Sequence, residues 1–266
     1  MIQQQVDAEI KEKKASRLSV YFRGMTTGRW GGINEDEIYP GGSLIKVPFL
    51  VAYYKLAETH PDIFKEQLTY KGDFDETPGQ FTKPSHTIEA GKSYSIEELL
   101  HRMIVYSGNN STVLLMRRLD RYYLKSIFQD LQVPSAQSAH QQWLVSTQQF
   151  ASFFRVLYGA TYLDRTMSER ALELLVQTEF ADGIVAGVPP MIKVAHKFGE
   201  WVVADTAGHT VSAFLHDCGI VYHHANPYFL CVMSEGTSHD TLKGVIARLS
   251  KTIYEYVDSP EYPRIS

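Results

Sequence analysis

The strand-forming segments of this chain lie at its two ends, and that placement restricts the fold more than any other feature. Near the start, "RLSVYFRG" from Arg17 to Gly24 has the β-branched and aromatic content of a strand. The turn-rich "TTGRWGGINEDEIYPGG" that follows has room for a second short one. Near the end, "IKVAHKFGEWVVADTAG", "TVSAFLHDCGIVYH" and "PYFLCVMSEG" predict three consecutive strands of an antiparallel meander. Between these groups the pattern is helical. A single sheet that draws strands from both ends must bring those ends together, so the middle of the chain becomes an insertion.

The helices follow from apolar spacing. Residues 2–14 form a polar-faced helix, and Ser43 to about Glu58 a long, largely apolar one of the kind that is normally buried. Pro48 falls early enough in that helix to be tolerated. In "SIEELLHRMIVYSGNN", Ser95 and Glu98 form a capping box, Ile96, Leu99, Leu100, Met103 and Ile104 keep helical spacing, and Gly108 is the expected C-terminal breaker. Further helices are expected near 111–119, 121–131, 147–158 and 168–178. A last one at about 241–257 has Leu242, Val245, Ile246, Leu249 and Ile253 on one face. Pro61, Pro78 and Pro84 mark loops in residues 60–94. The expectation is an α/β (α+β) fold in which the first and last helices cover one mixed or antiparallel sheet. All 266 residues form one domain, with a sheet subdomain at about 1–58 and 190–266 and an all-helical subdomain at about 59–189.

Composition excludes several classes of function. A net charge of −4 gives no basic footprint for nucleic acid, and no apolar run reaches about 18 residues, so no membrane span is expected. "MIQQQVDAEIKEKKAS" lacks the apolar stretch of a signal peptide, so either the protein stays in the cytoplasm or a leader has been removed. Cys218 and Cys231 are expected as two partly buried free thiols rather than a bridge. His209, His216, His223 and His224 cluster in sequence with Asp217, but strand alternation would scatter them, and no metal or other cofactor is expected.

Three short motifs remain. In "YPGGSLIKVPFL", Ser43 and Lys46 are spaced i, i+3 at a helix start. That geometry suits a helix cap with a solvated lysine, and equally a serine nucleophile with a lysine base freed of its proton by burial. Tyr106-Ser107-Gly108-Asn109 ends a helix, and His196-Lys197-Phe198-Gly199 lies on a late strand. Alone, the second reads as a polar cap and the third as an edge-strand lysine that discourages aggregation.

Together and in this order, the three motifs resemble those of the penicillin-recognising serine hydrolases, the family of class A β-lactamases and D-alanyl-D-alanine peptidases: S-x-x-K, S-x-N and K-T-G. "GKSYSIEELLHRMIVYSGNNSTVLLM" also resembles the class A stretch, and the likeness runs from about Arg17 to Val257. The resemblance implies a β-lactamase-like three-layer sandwich. It implies Ser43 as nucleophile, Lys46 as its base, Ser107 as proton relay and Lys197 as the positive charge facing a substrate carboxylate and Ser107. Asn109 would bind the substrate's side-chain amide, the backbone N–H groups of Ser43 and Glu200 would form an oxyanion hole, and Phe198 and Gly199 would border the substrate.

Three departures matter. Phe198 replaces a hydroxyl that would bind the substrate carboxylate. Gly108 replaces an aspartate common in class A, so the loop's internal support must differ. Class A enzymes also carry a long loop whose glutamate activates the deacylating water; here the stretch Leu131 to Phe150 is short, and residues 131–163 contain no Asp or Glu. Asp205, Glu200 and Asp217 are the nearest carboxylates to consider instead. The expected function is acyl-enzyme formation with β-lactams or D-Ala-D-Ala-like peptidoglycan stem peptides, with slow deacylation. The alternative is a sensor or binding module on the same fold that scarcely turns over. Trp143, in the shortened loop, is expected to be core.

Overall fold

A computed structural model describes residues 1–135 and 142–262. In chain order the elements begin α1 (Ile2–Lys11), β1 (Arg17–Gly24), β2 (Trp30–Ile33), β3 (Tyr39–Pro40), a 3₁₀ turn (Gly42–Ile45) and α2 (Lys46–Ala57). Then come β4 (Gln67–Thr69), β5 (Ser93–Ser95), α3 (Ile96–Val105), α4 (Asn109–Arg118), α5 (Arg121–Asp130), β6 (Leu144–Val145), α6 (Thr147–Tyr158) and α7 (Arg165–Val176). The chain ends with β7 (Val194–Ala204), β8 (Thr210–Val221), β9 (Tyr228–Gly236) and α8 (His239–Asp258). No helix among the described residues is long and apolar enough to cross a membrane.

The described residues form two compact units. The first takes Met1–Leu44 and the described parts of Ala136–Arg155 and Phe180–Ser266; the second takes Ile45–Ser135 and Val156–Glu179. The division falls at Leu44, ahead of the position near Glu58 that the sequence suggests, so α2 belongs with the helices.

In the first unit, five strands form one antiparallel sheet in the order β2-β1-β9-β8-β7. The chain's two ends therefore meet along β1 and β9. Leu18 and Val20 of β1 and Leu230 and Val232 of β9 pack with Val6 of α1 and with Leu242, Val245, Ile246 and Leu249 of α8. On the other face, Phe154 of α6 meets Phe229 at 5.3 Å. With both faces covered, all nine residues of the stretch Ala213–Val221 in β8 are buried, which is why that strand shows no apolar–polar alternation in sequence.

Cys218 and Cys231 face each other across β8 and β9 and form a disulfide, contrary to the expectation of free thiols. Sequence spacing alone could not show that the hairpin register places them opposite one another.

The second unit is built around α2. Val47, Leu50, Val51, Ala52 and Tyr53 are fully buried, and α2 packs against α3, α5 and α7. Pro48 is the third residue of this helix, where its missing N–H is one that no helical carbonyl would have accepted. The capping box forms its first bond, Glu98 N–H to Ser95 Oγ at 3.1 Å, while Glu98 turns its carboxylate to Arg102.

The disulfide closes a loop with a sequence separation of 13. Reduction, or the double change Cys218→Ser and Cys231→Ser, should lower the unfolding free energy by about 2–4 kcal/mol. Equal urea midpoints with and without reductant would contradict this.

Candidate active site

Ser43 is half-buried in the 3₁₀ turn and not on the α-helix itself, which begins three residues later at Lys46. The segment leading to it is fixed at each residue. Tyr39 and Pro40 pair with Val145 and Leu144, and Gly41 N–H donates to the Trp143 carbonyl at 2.7 Å. His216 Nε2–H donates to the Pro40 carbonyl at 3.0 Å, while His216 Nδ1 accepts the Ser234 N–H at 3.2 Å. Those bonds require a neutral imidazole, and burial pulls His216 down to about 4.

The strand motif packs on this turn through glycine. Gly42 has φ +52°, and a Cβ there would lie 2.5 Å from the Glu200 carbonyl oxygen. A Cβ on Gly199 would lie 2.4 Å from the Gly41 carbonyl. The backbone of Gly199–Glu200 thus lies directly on the turn that carries Ser43, an arrangement that two side chains would prevent.

Lys197 is completely buried. Its ammonium donates to the Phe198 carbonyl at 3.0 Å and sits 3.9 Å above the Phe198 ring. Burial pulls it down to about 7, against Asp217 and Glu200, which favour the charged form. Phe198 is only 3% exposed and stacks on Phe180 at 4.3 Å, so its ring is a platform for Lys197 and part of the core.

Behind Lys197 lies a buried pair that the motifs did not suggest. Asp217 accepts from His196 Nδ1 at 2.8 Å and from the Ile184 N–H at 2.8 Å. Asp217 is fully buried, with both carboxylate oxygens engaged. Asp205 caps the β7–β8 turn, accepting the N–H groups of Ala207 and His209.

In the second unit, Lys46 is 2% exposed. Its Nζ donates to the Ser107 carbonyl at 2.6 Å, to Ser107 Oγ at 3.1 Å and to Asn109 Oδ1 at 2.8 Å. The S-x-x-K and S-x-N motifs therefore meet through one nitrogen, and the solvated-lysine alternative is ruled out. The left-handed residue after α3 is Ser107, with φ +55°, and not Gly108, which has φ −64° and stands at the N-cap of α4. Such a φ costs a non-glycine residue about 1–2 kcal/mol.

Gly108 brings no side-chain cap, and the support comes from elsewhere. Gln80, 7% exposed, accepts the Asn109 N–H on Oε1 at 3.2 Å and donates Nε2–H to the Ser107 carbonyl at 3.0 Å. Asn110 accepts the Glu76 N–H at 2.8 Å and donates to Asp75 at 3.0 Å, tying Gln80's loop to α4. Gln80 lies in "ETPGQFTKP", where no spacing marks it.

Trp143 is core, packed on Phe150 and Phe153. Leu144, beside it, is exposed and occupies β6 opposite Pro40. The remainder of the shortened loop, 136–141, falls outside the described residues. The suspected histidine cluster separates: His216 holds Pro40, His209 pairs with Asp205, and only His223 and His224 come together, with Asp258. His223 Nδ1 accepts the N–H groups of Ala225 and Asn226, so its proton sits on Nε2, facing Asp258 at 3.2 Å. In that tautomer Nε2 offers a proton and not a lone pair.

The fold and the chain were compared with known proteins. PBP-A is similar in structure, with a TM-score of 0.79, 21% identity and 97% and 96% of the two chains covered. A PBP-A mutant solved as an acyl-enzyme complex with penicillin G gives a TM-score of 0.78, 20% identity and the same coverage. A β-lactamase from Chitinophaga pinensis gives 0.79, 17% identity and coverage of 97% and 99%. A search of curated proteins found no match. The sequence matches the beta-lactamase enzyme family over residues 1–257, nearly its whole length, and the chain belongs to that family.

Proposed function

We propose that this protein is a serine hydrolase that forms an acyl-enzyme on Ser43 with β-lactams or D-Ala-D-Ala-like peptides, and that deacylation is its slow step. The observation that carries the reading is the buried Lys46 nitrogen, bonded to Ser107 and Asn109 and three residues along the chain from Ser43. Its acceptors belong to the second motif, and the chain carries Ser43 three residues before it, which is the company that a general base for that hydroxyl needs.

The steps follow from the groups present. Neutral Lys46 takes the Ser43 proton as Oγ attacks the substrate carbonyl, and the developing oxyanion is stabilised by the N–H groups of Ser43 and Glu200. The C–N bond then breaks, and the leaving nitrogen takes a proton relayed through Ser107 from the Lys46 ammonium. Lys197, backed by the Phe198 ring, attracts the substrate carboxylate, and Asn109 binds the amide. The PBP-A complex with penicillin G is a precedent for such an acyl-enzyme on this fold.

Hydrolysis of the ester needs a water and a base. The loop from Leu131 to Phe150 supplies no carboxylate, Asp217 is engaged with His196, and Asp205 with its turn. Lys46, neutral again once its proton has passed to the leaving nitrogen, is then the base left to activate the water, without the help of a loop carboxylate. The same observation favours a second reading, a sensor or binding module that acylates and hardly turns over.

A chromogenic cephalosporin should give a burst of about one equivalent and then a steady rate roughly 10²–10⁴-fold below that of an efficient β-lactamase. A fast linear trace without a burst would reject slow deacylation. Lys46→Ala should slow acylation by about 10²–10⁴-fold, and a rate within about threefold of the parent would remove Lys46 from its role as base.

Lys197 sets a pH dependence. It is charged below about 7 and neutral above, so capture of an anionic penicillin should fall as pH rises through that range. The apparent dissociation constant should weaken about tenfold per pH unit beyond the limb, while a neutral ester of the same penicillin shows no such limb. A flat profile between pH 6 and 9 for the anionic substrate would contradict a charged Lys197 in binding.

A further inference from the structure

We propose that Gln80 is a positioning residue for the second motif: by holding the Ser107 carbonyl and the Asn109 N–H together, it lets Lys46 release the Ser107 carbonyl and turn a lone pair to Ser43. The proposal rests on the acyl-enzyme reading for its catalytic meaning, and on the geometry of the second unit for its substance.

The argument starts from a count of hydrogen bonds. An ammonium has three N–H groups, and Lys46 donates to at least three acceptors, the Ser107 carbonyl, Ser107 Oγ and Asn109 Oδ1. A neutral amine keeps two N–H groups and one lone pair, so one acceptor must be given up before Lys46 can act as a base. Ser107 is 1% exposed, and a carbonyl left unpaired at that depth costs about 1–3 kcal/mol. Gln80 Nε2 already donates to that same carbonyl at 3.0 Å. The Ser107 carbonyl is thus the acceptor that Lys46 can leave without orphaning it.

The other end of the same amide does a second task. Gly108 stands at the N-cap of α4 without a side chain, and the first N–H of that helix, on Asn109, is capped by Gln80 Oε1 at 3.2 Å. One planar amide therefore spans Ser107 and Asn109, the two residues of the motif that also bond Lys46. It holds Ser107 in its left-handed conformation and sets the spacing between the hydroxyl and the amide. This is the support that an aspartate at position 108 would otherwise give.

The charged groups around this arrangement are not altered by changing Gln80. On its own segment they are Asp73, paired with Arg117; Asp75, bonded to Asn110; Glu76, whose N–H bonds Asn110; and Lys83, which donates to the carbonyls of Thr77 and Pro78. On α3, Arg102 pairs with Glu98, and the own helix of Lys46 carries Lys55, paired with Glu58. A difference between parent and variant reports Gln80 alone.

The test follows the Lys46 side chain by NMR as pH is raised, in the full chain without any acyl donor, with Lys46→Arg to assign the signal. Gln80→Met removes both bonds. Gln80→Leu likewise removes both bonds without adding a charge, so it stands in if the methionine variant does not fold. Both variants should hold the Lys46 proton to higher pH than the parent, by about one unit, a tenfold change in proton affinity. With a β-lactam, the acylation rate constant at neutral pH should fall about tenfold and recover as pH rises, while the dissociation constant changes little. An unshifted Lys46 titration in whichever of Gln80→Met and Gln80→Leu folds overturns the proposal and makes Gln80 a helix cap only, whatever the melting temperature does. If neither a β-lactam nor a D-Ala-D-Ala-like ester labels the parent, the acyl-enzyme reading fails, and the titration still decides the role of Gln80.

Discussion

The buried ammonium of Lys46 is the constraint around which the second unit is arranged. Its position at the first turn of α2, a helix apolar on every side, denies it water, so its N–H groups must find acceptors inside the protein. They find them in Ser107 and Asn109, and Ser107 reaches its place only through a backbone conformation that disfavours side chains. The strain is held by bonds on both sides: the lysine from α2 and the amide of Gln80 from the loop before α3. Removing the lysine would relax the turn as well as the chemistry. The residues of two motifs that look independent in sequence are thus one hydrogen-bonded unit.

The first unit solves a different problem, the close approach of two backbones. The turn before Ser43 and the strand after Lys197 touch where Gly42 meets Glu200 and Gly199 meets Gly41, and no Cβ would fit on Gly42 or on Gly199. Three further contacts hold the turn in place: β6, the Trp143 carbonyl and neutral His216. His216 works as a post because burial keeps it uncharged, one nitrogen a donor and the other an acceptor. Lys197 is treated in the opposite way. It is fully buried but set on an aromatic face, and Asp217 and Glu200 favour its charged form against that burial. In this family the third motif more often has a hydroxyl where Phe198 stands; here the ring supports the lysine from below.

Much of this was legible in the sequence because it depends on local pattern. The strands at the two ends, the capping box at Ser95, the apolar α2 and the order of the three motifs all lie in short windows. What was not legible depends on register and on long-range partners. The bridge between Cys218 and Cys231 requires knowing which residues of β8 and β9 stand opposite. The His196–Asp217 pair requires the β7–β8 register, and Gln80 requires a loop to fold back over 27 residues onto the motif it supports. The sequence offers Gly108 as the breaker after α3, but the bonds to the Ser107 carbonyl hold the serine in the left-handed conformation instead. The side chain of Phe198 was expected at the substrate, and the core packing of Phe180 draws it inward.

The central claim is that Ser43 becomes covalently acylated. Incubation with a penicillin, rapid acid quench and peptide mass mapping tests it most directly. The account predicts a stoichiometric adduct on the peptide containing Ser43, absent from Ser43→Ala and persisting through a chase with unlabelled buffer. An adduct on a different serine, or labelling of Ser43→Ala at the parental level, would contradict it.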